Sequence, residues 1–236
     1  MTLFAIRSRM GSLGARLGSL RAAARMPLQP PAAPKRMQST LAEAAEAVEG
    51  QYALSLRWLH WVMGAGMLTC MGTVKASQWT TGETFLGTKG QTKGTLMMIH
   101  KSTAVLVSAM LFPRVLLRVA TKAPPPIPGN ILEKFAANVS HVAMYGFMAF
   151  MPFTGLAMGY YGGKGVPFYG LYTFPGATGE AKDGKFAGRM FKLHKQVGQY
   201  IYYLVPVHVG AAFFHVFRGQ AILTRVNPLV TVASKA

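Results

Sequence analysis

The sequence predicts an all-α membrane protein, a bundle of four transmembrane helices. Four apolar runs are each long enough to cross a bilayer. Only 14% of the 236 residues are charged, against 51% hydrophobic, where an ordinary soluble domain carries about 25% charged residues. All six histidines lie in or at the apolar runs. The single cysteine, Cys70, excludes an intramolecular disulfide framework, a four-cysteine zinc site and a cysteine-ligated iron–sulfur cluster. The net charge of +18 raises nucleic-acid binding as a class. Such binders carry Lys and Arg on soluble folds, whereas here the charges sit between long apolar runs, so no nucleic-acid partner is expected.

Residues 1–38 are expected to be a transit peptide. The first 42 residues carry Arg7, Arg9, Arg16, Arg21, Arg25, Lys35 and Arg36, and the first acid is Glu43. Phe4, Leu13, Leu17 and Leu20 can form one apolar stripe, and no continuous apolar stretch of a secretory signal is present. Arg richness points to the mitochondrial inner membrane, with a plastid membrane as the alternative. A short polar segment follows over residues 39–54, the membrane domain over 55–226 and a C-terminal tail over 227–236.

The four spans are expected at about Leu56–Ala76, Thr95–Val119, Ala136–Tyr160 and Leu193–Phe217. About twenty residues at 1.5 Å each cross a hydrocarbon core of about 30 Å. The second connection contains Pro124, Pro125, Pro126 and Pro128, a stiff stop between two spans. The third, Tyr161–Lys192, is long and rich in Gly and Lys. Lys and Arg are plentiful on both sides, so charge bias assigns no orientation.

Ionisable groups in a span are costly and are functional candidates. His194 and His208 are 14 residues apart, which puts them on one helix face and roughly 21 Å apart along the axis. His215 lies seven residues further on that face. Depth pairs His60 with His208 towards the side of the termini, and His100 with His194 on the opposite side. Two imidazoles facing each other from different helices suit the iron of haem b. Zinc or copper would want three or four ligands converging on one point. No C-x-x-C-H is present, so a covalent haem is excluded.

The segments RWLHW, MMIHKS, FPRVLLRVATKAPPPIP, SHVAMYGFMAFMPFTGLAM and LHKQVGQYIYYLVPVHVGAAFFH together resemble the bacterial-type cytochrome b-561 family of four-helix dihaem membrane cytochromes, over about Tyr52–Val226. The resemblance implies two haems b, with His60 and His208 as axial ligands of one and His100 and His194 of the other. It associates His141 and His215 with a quinone pocket beside the first. The family includes a bacterial superoxide oxidase, so the implied function is electron transfer from superoxide to ubiquinone in a lipid-embedded enzyme. Two alternatives remain. One is a cytochrome b subunit passing electrons between a soluble or respiratory-complex partner and quinone. The other is a non-catalytic subunit of a respiratory complex.

Arg114 and Arg118, near the end of span two, are candidates to pair haem propionates or lipid headgroups. Lys164, Lys182, Lys185, Arg189 and Lys192 of the third connection are candidates to steer a small anion such as superoxide, or to anchor lipid headgroups.

Overall fold

The computed structural model describes Pro34 and residues 50–230. The expected transit peptide over 1–38 lies, apart from Pro34, outside the described residues. So do most of the polar segment over 39–54 and the end of the tail from Thr231. The chain divides after Glu43, and the fold is that of the second unit, Ala44–Ala236.

Four long helices dominate it: α1 (Leu54–Trp79), α2 (Lys89–Ala120), α3 (Ile131–Tyr161) and α4 (Gly184–Phe217). Among the described residues, three segments are long and apolar enough to cross a membrane: Lys89–Ala120, Ile131–Tyr161 and Gly179–Phe217. At 26 residues α1 has the length, but His60, Trp58, Trp61 and its Gly and Thr residues dilute its apolar character.

The helices outrun the apolar runs that announce them. α2 starts at Lys89, before the expected Thr95, because Thr88 and Gln91 form a reciprocal capping box across its first turn. α4 starts at Gly184, well before the expected Leu193, with the Asp183 side chain accepting from the Phe186 N–H. Lys185, Arg189 and Lys192 therefore stand on the first turns of α4 and not in a loop. Of the expected steering residues, Lys164 and Lys182 remain in the third connection.

α1 packs along α2, and α3 along α4, giving two helix hairpins joined mainly through α2 and α3. Gly66 makes the first pairing close. A Cβ there would come within 2.6 Å of the Val107 Cγ2 on α2. A small core of Met63, Val107 and Met148 joins α1, α2 and α3, with Leu59, Met67, Met110, Leu111 and Tyr145 against it. Large apolar side chains such as Phe112, Leu116, Val119, Phe153 and Tyr203 point outward. A water-soluble monomer does not sustain so extensive an apolar exterior, whereas lipid is its natural solvent.

The third connection is folded. It contains a two-stranded antiparallel hairpin, β1 (Val166–Phe168) and β2 (Tyr172–Phe174), with Val166 opposite Phe174. At its turn Tyr169 adopts φ +49°, held against α2 on both sides. Its N–H donates to Ser102 Oγ at 2.7 Å, and its hydroxyl meets Thr103 Oγ1 at 2.9 Å.

At the other end the chain after α4 returns over α1. A short helix, α5 (Ile222–Val226), follows. The buried Arg57 donates to Gln51 Oε1 and to the carbonyls of Asn227 and Val230, each at 2.9 Å. Trp61 Nε1 donates to the Val226 carbonyl. Arg218 pairs with Glu133 at 2.7 Å, tying α4 to the start of α3.

Candidate functional site

Between the helices lies a cavity of about 630 Å³ lined by both His100 of α2 and His194 of α4. Its body is apolar, with Met67, Met97, Phe147, Met151 and Ile201, and Gly155 and Gly198 leave flat backbone in its wall. Lys75, Lys101, Lys164 and Lys195 also line it, and among the described residues no Asp or Glu does. Apolar walls, two imidazoles and a set of ammonium groups suit a large apolar ligand that carries negative charge.

The two rings are oriented by their outer nitrogens. His100 Nδ1 lies 3.0 Å from the Cys70 carbonyl on α1. A carbonyl only accepts, so Nδ1 carries the proton and Nε2 keeps its lone pair. His194 Nδ1 lies 2.9 Å from the Thr154 hydroxyl on α3. Metal-bound histidines are typically anchored through the other ring nitrogen in this way.

The ring centroids of His100 and His194 are 6.2 Å apart with the planes at 86°. A metal–imidazole bond of about 2.0 Å, with each ring centre roughly 1.1 Å behind its nitrogen, would space two ligand rings about 6.2 Å apart. A direct hydrogen bond between the rings would bring the centres about 1 Å closer. The residues present thus fit a metal atom held between two imidazoles, and the cavity fits a macrocycle around it.

The second cluster lies at the other end of the bundle. His60 of α1 and His208 of α4 have ring centroids 6.4 Å apart at 49°, the same spacing. His141 of α3 joins them, 5.6 Å from the His208 ring, and Trp61 lies edge-on to His60. His215 is turned elsewhere. Its Nδ1 is hydrogen-bonded to the Gln220 side chain, and Gln220 Nε2 donates to the Pro128 carbonyl. The structure therefore brings His141 to the pair and ties His215 into the end of the bundle.

Arg114 and Arg118 also part company. Arg114 lies against the Tyr145 ring, and its Nε and Nη1 are buried without a hydrogen-bond partner among the described residues. Buried guanidinium donors in that state are costly, and a carboxylate would satisfy them. Arg118 is exposed and stacks over Tyr52, as a headgroup-facing residue would.

Four contributors escaped sequence reasoning. Cys70 acts through its carbonyl, which any residue offers. Thr154 reads as an ordinary helix hydroxyl. Lys75 sits over the Tyr202 ring at 4.5 Å, and the Tyr202 hydroxyl donates to the Met71 carbonyl. Their only sequence signal is depth, the level of His100 and His194 in the bundle.

A helical membrane bundle with histidines paired across its interior is the framework of a membrane cytochrome b. The family described as prokaryotic cytochrome b561 matches residues 51–227, and the chain belongs to it. The chain is also similar to cytochrome b561 homolog 1 of Escherichia coli (strain K12), 24% identical over 162 residues, which cover 67% of this chain and 85% of that protein. Family membership makes the chain a haem b-binding membrane protein of electron transfer.

Proposed function

We propose that the protein is a dihaem cytochrome b crossing the membrane four times, and that it carries electrons from superoxide to ubiquinone. The observation that carries this reading is the pair of imidazole couples at 6.2 and 6.4 Å, separated by roughly 21 Å along α4. His100 and His194 would hold one haem and His60 and His208 the other. α1 is the fourth span, its lower apolar content reflecting the inward-facing His60 and its packing on α2 at Gly66.

Haem supplies one-electron chemistry when bound, and the protein supplies orientation, environment and access. Lys75, Lys101, Lys164 and Lys195 supply positive charge at the His100–His194 cavity, where they would neutralise propionates. With Lys182, Lys185, Arg189 and Lys192 they would raise the encounter rate of a small anion. Arg114 would take a propionate at the second site with its free donors. His141, exposed beside His208, would donate a hydrogen bond or proton to a quinone carbonyl. Two superoxide ions each lose one electron and leave as O2, while ubiquinone takes up the two electrons and two protons to become ubiquinol. The basic, acid-free leader composition supports the mitochondrial inner membrane as the location.

The test is a reduced-minus-oxidised spectrum of the purified protein, with superoxide and a ubiquinone analogue supplied as substrates. Reduction of both haems and then of quinone by superoxide is expected. Haems that reduce only when a soluble or respiratory-complex partner is added would favour a partner-fed subunit.

A further inference from the structure

The Thr154 side chain is fully buried on α3, and its hydroxyl oxygen has three neighbours. They are the carbonyls of Phe150 and Met151, each at 3.0 Å, and His194 Nδ1 at 2.9 Å. A hydroxyl has one proton and two lone pairs, and a carbonyl can only accept. The proton is therefore committed to the helix backbone, and a lone pair faces His194. The opposite assignment would set hydroxyl lone pairs against two carbonyl oxygens. It would also leave a protonated Nε2 aimed into an apolar cavity, a group buried without a partner.

We propose that Thr154 is the positioning residue for His194, accepting the Nδ1 proton and so presenting the Nε2 lone pair to the cavity. The proposal rests on the haem reading of the His100–His194 pair and names what readies one member of it. A Cβ at the neighbouring Gly155 would lie 3.5 Å from His194 Cε1 and 3.8 Å from Nδ1, ordinary van der Waals contact, so the ring lies alongside α3 at this level while Thr154 fixes its rotation. The two members of the pair are held unequally. His100 donates to a carbonyl, a strong acceptor, and His194 to a hydroxyl that is itself polarised by donating to the backbone. An acceptor on the outer nitrogen raises the basicity of the ligating one, which favours ferric over ferrous iron.

The test compares the full chain in detergent with Thr154→Val, Thr154→Ser and His194→Ala. Haem per chain, haem transfer to an apo-globin acceptor, midpoint potentials and low-temperature electron paramagnetic resonance are measured for each. Valine keeps the shape of threonine and removes the acceptor. It is expected to weaken retention of one haem by about 10–100-fold, to raise the potential of that haem alone, and to alter its ferric signal. Serine, which keeps the oxygen, is expected to restore all three. Valine with unmutated retention, potential and signal would overturn the proposal, as would a serine variant that fails as badly as valine. The reading beneath it fails separately, if the unmutated chain holds fewer than two haems or His194→Ala retains both.

Discussion

His100 donates its Nδ1 proton to the Cys70 carbonyl at 3.0 Å, while the Cys70 thiol lies 3.6 Å from the His100 carbonyl. The two residues clasp α1 to α2 at the level of the His100–His194 cavity, and the orienting group is main chain. The thiol bond is long and of a weak donor type, so it adds little.

From this relationship Cys70→Ser and Cys70→Ala are expected to leave both haems in place, with stability changed by no more than about 1 kcal/mol. Haem-to-protein ratio and thermal melting check this. Loss of the haem proposed at His100 in the Ala variant, with retention in the Ser variant, would mean that the side chain, and not the carbonyl, sets the ring.

A second expectation separates His141 from His215. His141→Ala keeps both haems and slows ubiquinone reduction by on the order of 100-fold, the usual scale of a positioned proton donor. His215→Ala leaves the rate near normal, because its ring is held by Gln220 and not beside His208. Stopped-flow reduction of a ubiquinone analogue distinguishes the two. Equal losses in both variants would place the quinone nearer His215.

The lysines allow a third. Replacing Lys164 and Lys195 at the cavity with Gln is expected to lower the second-order rate with superoxide at low salt more than replacing Lys182, Lys185 and Arg189. The difference shrinks as salt rises, since screening over about 10 Å at 0.1 M removes most long-range attraction. A superoxide rate in the unmutated protein that does not change with salt would contradict steering by either set.

The approach of His60 to His208 and of His100 to His194 was legible in the sequence because helical periodicity converts spacing into depth. A repeat of 14 residues between His194 and His208 needs only a straight helix to place both on one face. The long helices were legible as apolar runs, but their ends were not. The turns from Lys89 to Gly94 and from Gly184 to Lys192 are too polar to stand out from loops, and Thr88, Gln91 and Asp183 make them helical. The strands Val166–Phe168 and Tyr172–Phe174 are too short for a periodic signal, and they form because Ser102 and Thr103 hold Tyr169 in place. Thr154 and the Cys70 carbonyl were illegible for a related reason. Hydrogen bonds between helices depend on packing angles that no local pattern encodes.

The central claim, two haems on two separate histidine pairs, is tested most directly by haem stoichiometry and spectra across four single variants. The unmutated chain is expected to hold two haems b. His100→Ala and His194→Ala should each remove the same one, and His60→Ala and His208→Ala the other, so that the two groups leave complementary spectra. One haem per chain, or a His60→Ala spectrum matching that of His194→Ala, would contradict the account.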